Sequence, residues 1–115
     1  MDIADRIKQG QSFLVADDGK FLGKLTLNKY DLESISNEYG MYGSKYALNS
    51  IKNQYSLVGS IYGLYSPHNQ YSISPPKIYL RGTEFGYLTK NKYRLGNLID
   101  PEELDDWMRV NNLIY

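Results

Sequence analysis

The chain has 115 residues, a length typical of one domain, and 42% of them are apolar. Thirteen Lys and Arg residues balance thirteen Asp and Glu residues, so the formal net charge is zero. This balance argues against a dedicated nucleic-acid-binding protein, which needs a basic excess to bind phosphates. The chain has no cysteine, which excludes disulfides and thiolate metal sites.

The N-terminal segment, residues 1–10, predicts an arm or a short helix. No apolar run approaches the roughly 18 residues that a membrane span requires, so none is predicted. The segment also lacks the basic-then-apolar pattern of a signal peptide. A cytoplasmic location is therefore expected if this N-terminus is the native one, and the compartment is unknown if it was trimmed.

Two related hairpins are predicted at the ends of the segment 12–93. "SFLVADDGKFLGKLTLN" turns at an Asp-Gly pair, which supplies the positive φ that tight hairpins need. "KIYLRGTEFGYLTKN" predicts a second hairpin that turns at residues 81–83. Residues 18–30 and 81–93 agree at seven of thirteen positions.

Between the hairpins, a unit of sixteen residues occurs three times. The units read "NKYDLESISNEYGMYG", "SKYALNSIKNQYSLVG" and "SIYGLYSPHNQYSISP", and neighbouring units match at eight of sixteen positions. Such short units must stack or close into a ring to bury their apolar residues. The first hairpin motif returns after about four periods, which favours a pseudo-fourfold ring closed by the two hairpins. The predicted fold class is mainly β with a short C-terminal helix (α+β), in a single domain over 1–115 whose repeat body spans 12–93.

The motif "SIxNxY" within each unit has two local interpretations. Its Ser caps a single helical turn, or its Ser and Asn side chains brace a tight loop. The equivalent residues Asn37, Asn53 and Asn69 accordingly either brace turns, which we favour, or present amides to a ligand.

Twelve tyrosines dominate the aromatic composition, against three Phe and one Trp. When the units are aligned, most tyrosines fall at two equivalent positions, here called columns. We expect one column to be buried because few other aromatic residues can fill the core, and the other column to be available to line a groove that stacks sugar rings or bases. Three tyrosines outside the columns are expected to be exposed and ligand-facing. The first column is Tyr30, Tyr46, Tyr62 and Tyr93, the second is Tyr39, Tyr55, Tyr71 and Tyr87, and the outliers are Tyr42, Tyr65 and Tyr79. The lone histidine, His68, is expected to be exposed and not to bind metal.

Residues 100–110, "DPEELDDWMRV", predict a helix with Asp100 as its N-cap. Leu104, Trp107 and Met108 form an apolar stripe on this helix. The stripe packs either on the repeat body, which we favour, or at an interface with a partner or a second copy.

The strings "NEYGMYGSKYALNSIKNQY", "SPHNQY", the Pro-Pro pair and "FGYLTKNKY" together resemble the four-fold beta-flower family of uncharacterised bacterial proteins. The resemblance covers about residues 18–93 and implies a compact pseudo-fourfold β domain. It implies no activity. Ser56 and Val58 depart from the family pattern, which has Gly and Tyr at these positions.

The sequence contains no phosphate-binding glycine loop, nucleophile elbow or metal-ligand spacing, so no catalytic, cofactor-binding or metal-binding residue is predicted. The leading hypothesis is a non-enzymatic binding or protein-interaction module whose partner is a protein or a second copy. The alternative is a carbohydrate- or cell-envelope-binding domain that uses exposed Tyr and Asn. The second alternative is an enzyme with a polar site on the pseudo-axis.

Overall fold

The computed structural model describes residues 1–115. Five strands form one sheet, and a short helix lies near each end of the chain. In chain order the elements are α1 (Ile3–Lys8), β1 (Phe13–Val15), β2 (Phe21–Lys24), β3 (Lys77–Leu80), β4 (Thr83–Leu88), β5 (Leu98–Ile99), a 3₁₀ turn (Pro101–Glu103) and α2 (Leu104–Val110). The fold is therefore mainly β with a short C-terminal helix, as predicted. None of the helices combines the length and apolar character needed to cross a membrane.

The sheet joins the two predicted hairpins side by side in the order β2-β1-β3-β4-β5. Strands β1 and β3 pair antiparallel, and the stacked rings of Phe13 and Tyr79 lie 4.8 Å apart across this pair. Gly19 has a φ of +91° in the first hairpin turn, and Gly82 has a φ of +81° in the second. Both hairpins are confirmed, and their pairing brings two segments far apart in sequence into one sheet.

The repeat body between the hairpins is a continuous spiral of turns. The backbone amide of about every third residue donates to the carbonyl three residues earlier, as from Asn53 to Ser50 and from Ser56 to Asn53, both at 3.1 Å. No residue between 24 and 80 has a positive φ, so these are type I turns. Once in each of the first two units the hydrogen bond spans four residues instead of three. The Ser44 amide donates to the Gly40 carbonyl, and the Ser60 amide donates to the Ser56 carbonyl. Four hydrogen bonds that span three residues and one that spans four together cover sixteen residues, which explains the period of the repeat.

We call corners the residues whose backbone amide or carbonyl makes these hydrogen bonds along the spiral. Each corner is either small (Gly or Ala) or short and polar (Ser, Asn or Asp). Each corner is the last residue of one turn and the first residue of the next. Type I turns favour Asp, Asn or Ser at the first position and Gly at the last, which accounts for this composition. The corners are Asp31, Ser34, Asn37, Gly40, Ser44, Ala47, Ser50, Asn53, Ser56, Ser60, Gly63, Ser66, Asn69 and Ser72.

Most corner side chains brace the spiral by accepting the amide N–H two residues later. Asn53 Oδ1 accepts from the Tyr55 amide at 3.0 Å, and Ser50 Oγ accepts from the Lys52 amide at 3.1 Å. Asn53 Nδ2 also donates to the Ala47 carbonyl, two turns earlier, at 3.0 Å. Gly59 must lack a side chain, because a Cβ there would overlap the carbonyl oxygen of Asn53. Of the two predicted local structures, the braced loop is the one observed.

The core lies between the spiral, the sheet and α2. Ile35, Ile51 and Val58 reach it from the spiral, and the remaining members come from the strands and the C-terminal segment. These are Leu14, Ala16, Leu22, Leu25, Ile78, Leu88, Leu104, Met108 and Leu113. Aliphatic residues therefore fill the centre of the molecule.

Both hairpins continue into the spiral through backbone hydrogen bonds. The Lys24 amide donates to the Glu33 carbonyl at 2.7 Å, and the Ile35 amide donates back to the Lys24 carbonyl at 3.1 Å. After β4, the Lys90 amide donates to the Pro67 carbonyl at 2.9 Å. The first hairpin thus contacts the first unit, and the second hairpin contacts the third.

The C-terminal helix packs on its own chain. Asp100 Oδ1 accepts from the Glu102 amide at 2.9 Å, which is the predicted N-cap, although the first turn is 3₁₀. Leu104 and Met108 are buried in the core, and the Trp107 ring lies 5.2 Å from the Phe85 ring. The apolar stripe therefore covers the body of the domain, the first of the two expected positions.

Truncating a corner asparagine should destabilise the spiral. Asn53→Ala removes both side-chain hydrogen bonds and leaves part-buried backbone groups without their partner, so we expect a loss of about 1–3 kcal/mol in the free energy of unfolding. Urea unfolding measures this loss. The neighbouring substitution Gln54→Ala, at an exposed turn position, is the control and should change stability by less than about 0.5 kcal/mol. Equal stability of the two variants would contradict the bracing role.

Truncating the helix tryptophan should lower stability without changing molecular size. Trp107 is only partly buried, so Trp107→Ala should cost on the order of 2 kcal/mol, less than a fully buried aromatic residue. The exposed Val110→Ala on the same helix is the matched control. Calorimetry measures the stability and light scattering measures the molecular size. If the wild type is a dimer and the variant is a monomer, the stripe is an interface between two copies and not a contact within the domain.

Candidate binding surface

The outer side of the spiral and the segment after β4 carry tyrosines from both columns. Seven of the eight column members are 81–96% exposed. They are Tyr30, Tyr39, Tyr46, Tyr55, Tyr62, Tyr71 and Tyr93, and we call them the tyrosine surface. The prediction that one column fills the core is wrong, because each of these tyrosines stands two residues after a Ser or Asn whose side chain accepts its amide N–H, and points outward.

Tyr42, Tyr65 and Tyr79 are partly buried, so the prediction that these tyrosines are the exposed ones is also wrong. Tyr42 contacts the Phe21 ring edge-on at 4.9 Å, and Tyr79 stacks on Phe13. Tyr65 packs against the hydrophobic core. Tyr42 and Tyr65 each follow a glycine corner by two residues, whereas the exposed tyrosines follow Ser or Asn.

Pairs of exposed tyrosines form the walls of open clefts. One cleft, of about 470 Å³, lies between Tyr30 and Tyr39, and another, of about 590 Å³, lies between Tyr62 and Tyr71. Every residue lining the first cleft has its counterpart, 32 residues later, in the second. The first is lined by Lys29, Tyr30, Ser36, Asn37, Glu38 and Tyr39, and the second by Ile61, Tyr62, His68, Asn69, Gln70 and Tyr71, with Lys90 added.

A third cleft, of about 570 Å³, lies between Tyr39 and Tyr46. Lys45 and Lys52 line it, and the Lys45 ammonium lies 5.3 Å from the centre of the Tyr46 ring. The clefts therefore share tyrosine walls but differ in their other side chains, with two lysines and Glu38 in this one and with His68 and Lys90 in the cleft at Tyr62.

His68 is partly buried in the floor of its cleft, which corrects the prediction that it is exposed. Its Nε2 lies 3.0 Å from the Ile51 carbonyl oxygen, so the neutral ring carries its proton on Nε2. Burial lowers the pKa of His68, although the Ile51 carbonyl opposes this shift. At neutral pH the imidazole is thus an uncharged hydrogen-bond donor within the structure.

The charged side chains with shifted pKa values are joined in ion pairs. The Arg6 guanidinium bonds Glu33 at 2.7 Å and thereby lowers the pKa of Glu33. At the cleft of His68, the Lys90 ammonium bonds Asp100 at 3.2 Å and Glu102 at 3.1 Å. Desolvation alone would lower the pKa of Lys90, but these carboxylates raise it. No group of three or more His, Asp or Glu side chains lies close enough together to hold a metal ion.

The amides of the corner asparagines face the backbone. Nδ2 donates to a carbonyl six residues earlier, from Asn37 to Asp31 at 3.2 Å and from Asn69 to Gly63 at 3.0 Å. Their Oδ1 atoms accept the amides of Tyr39 and Tyr71, both at 3.0 Å. These side chains act on the spiral, and through the same hydrogen bonds they hold the backbone of the tyrosines that follow.

Comparison with known proteins adds nothing to this geometry: no family model, no curated protein and no solved structure matches the chain.

The exposure of both tyrosine columns was not predicted, although the sequence contains a signal for it. Small polar residues recur every three residues in the spiral, and Ser or Asn followed by any residue and Tyr occurs at six places between 28 and 72. In each case the Ser or Asn side chain accepts the amide N–H of the tyrosine, and the tyrosine is exposed. That spacing predicts exposed tyrosines wherever a polar corner precedes them.

Acidification should destabilise the protein through His68. The folded-state pKa lies below the ordinary value of 6.5, so the unfolded chain takes up the proton first. The stability that depends on a neutral His68 is present above about pH 6.5 and is lost as the pH falls below it. Wild-type protein should therefore lose more stability between pH 7 and pH 5 than the His68→Gln variant does.

Urea unfolding at each pH measures this difference. The carboxylates whose pKa values are lowered, Asp31, Glu33 and Asp100, lose their contribution only at lower pH, below their ordinary values of 3.8–4.5, so they do not obscure the effect. Parallel pH profiles of wild type and variant would show that His68 is as solvated as in the unfolded chain.

Proposed function

We propose that this protein is a non-enzymatic binding module and that the tyrosine surface is where it binds. The single observation that carries this proposal is the exposure of seven tyrosines, each above 80%, on a backbone braced by hydrogen bonds. Exposed aromatic residues are uncommon on surfaces that contact only water, whereas tyrosine is enriched at binding interfaces.

The size of this surface is sufficient for stable recognition. An aromatic side chain buries about 150–250 Å² on contact, so four or five of these tyrosines in contact with one partner would bury roughly 800 Å². A standard protein interface buries about 800 Å² on each partner. Aliphatic residues on the intervening turns extend the surface, namely Leu32, Met41, Leu48, Leu57, Leu64 and Ile73.

The rigidity of the backbone favours binding as well. Tyrosine has only two side-chain torsions, and its backbone amide is already bonded to the preceding corner. Little conformational entropy therefore remains to be lost when a ligand stacks on the ring.

We further propose that the chain forms a pseudo-fourfold ring of the four-fold beta-flower type, with three turn units and the paired hairpins as its sectors. Three contacts support it: β1 pairs with β3, Lys24 bonds the first unit, and Lys90 bonds the third. A ring of this kind would present equivalent tyrosines around its circumference.

The enzyme hypothesis has less support. Apart from His68 and Lys90, the groups with shifted pKa values lie outside the tyrosine-walled clefts. The Lys90 ammonium is bonded to two carboxylates, and His68 Nε2 donates to a backbone carbonyl. The Lys90 Nζ and the His68 Nε2 are therefore not free to accept a proton from a substrate.

The proposal is tested with immobilised protein and an extract of the source cells that includes their envelope fraction. Wild-type protein should retain a discrete ligand, identified by mass spectrometry and rebound in purified form. The triple variant Tyr39→Ala, Tyr62→Ala and Tyr71→Ala should lose it. Tyr115→Ala removes an equally exposed tyrosine outside the tyrosine surface and should retain it. A ligand retained equally by the triple variant, or no ligand at all, would contradict the proposal.

A further inference from the structure

The repeated clefts between exposed tyrosines narrow the class of ligand. We infer that the two equivalent clefts, at Tyr30–Tyr39 and Tyr62–Tyr71, bind the pyranose rings of an uncharged polysaccharide, one sugar unit or a short run of units in each cleft. This inference rests on the proposed binding role of the tyrosine surface and assigns its ligand.

The cleft walls have the surface that a pyranose ring matches. Such a ring presents apolar C–H groups on its faces and hydroxyls at its edge, and tyrosine likewise joins a flat apolar ring to a hydroxyl. The close aromatic pairs in the protein join Phe13 to Phe21 and Tyr79, Phe21 to Tyr42, and Phe85 to Trp107, so none involves the tyrosine surface. The exposed rings are therefore not stacked on other aromatic rings.

The repetition of the clefts matches a ligand that itself repeats. The clefts at Tyr30–Tyr39 and Tyr62–Tyr71 have the same framework of lining residues at a spacing of 32 in sequence. A polymer of similar units can occupy more than one cleft of the same design. Each additional contact is then intramolecular, which raises the overall affinity without any new type of interaction.

Size and charge favour an uncharged ligand of modest size. The volumes of about 470 and 590 Å³ lie within the range of roughly 300–1,000 Å³ that small-molecule sites occupy. Lys29 and Glu38 carry opposite charges in the first cleft, and in the second Lys90 is paired with two carboxylates. The chain as a whole has zero net charge, so it offers no general attraction to a polyanion.

The test uses the full chain and hexasaccharides of β-1,4-linked glucose, N-acetylglucosamine, mannose and xylose, titrated by calorimetry. At least one should bind. Tyr62→Ala combined with Tyr71→Ala should weaken that binding by about tenfold or more, which corresponds to about 1.4 kcal/mol. Tyr62→Phe preserves the ring and should bind within about threefold of wild type, as should the distant Tyr115→Ala. All three positions are highly exposed, so melting temperatures should be unchanged.

Two results would overturn the inference: no hexasaccharide binds at millimolar concentration, or the double variant binds as tightly as wild type. If no sugar binds but the extract yields a protein whose capture requires Tyr39, Tyr62 and Tyr71, the ligand class is wrong and the tyrosine surface remains a binding surface. If the extract yields no ligand that requires these tyrosines and no sugar binds, both proposals fail.

Discussion

The hydrogen bond from each corner amide to the carbonyl of the preceding corner is the interaction on which the rest of the structure depends. It confines a corner to Asp, Asn, Ser, Gly or Ala, because the residue must end one type I turn and begin the next. It also fixes the sixteen-residue period, since four steps of three and one of four return the chain to an equivalent position. The side chains of Asn and Ser reinforce the same turns by accepting the amide N–H two residues later, and Asn53 also donates to the carbonyl six residues earlier.

This constraint separates the residues that stabilise the fold from those available for recognition. Corners and aliphatic residues such as Ile35 and Ile51 face inward and supply the bracing and the core. The tyrosines two positions after a Ser or Asn point outward and are not part of the hydrophobic core. Tyrosine at these positions is therefore free to serve binding, and its backbone is held in place by the side chain that precedes it.

The sequence was sufficient to predict elements whose signals are local. The Asp-Gly turn, the return of the hairpin motif and the Asp-Pro start of the C-terminal helix correctly placed both hairpins and α2. The bracing role of Asn53 followed from the same local chemistry. The prediction that one tyrosine column is buried was wrong because it depended on composition. Composition indicates that aromatic residues belong in a core but does not say which face of a turn they occupy.

Two further features depend on packing between distant segments. Tyr79 is half-buried because β3 pairs with β1 and brings the ring onto Phe13, 66 positions earlier in the sequence. His68 is half-buried because its ring reaches the carbonyl of Ile51 in the preceding unit. No pattern within a single unit specifies either contact.

Chemical nitration measures directly whether the seven members of the tyrosine surface face the solvent. Brief treatment of the dilute native protein with tetranitromethane, followed by peptide mass spectrometry, measures the accessibility of each ring. The account predicts rapid nitration of the seven members of the tyrosine surface, and slow nitration of Tyr42, Tyr65, Tyr79 and Tyr87 until the chain is unfolded in urea. Protection of either complete column in the native monomer would contradict it.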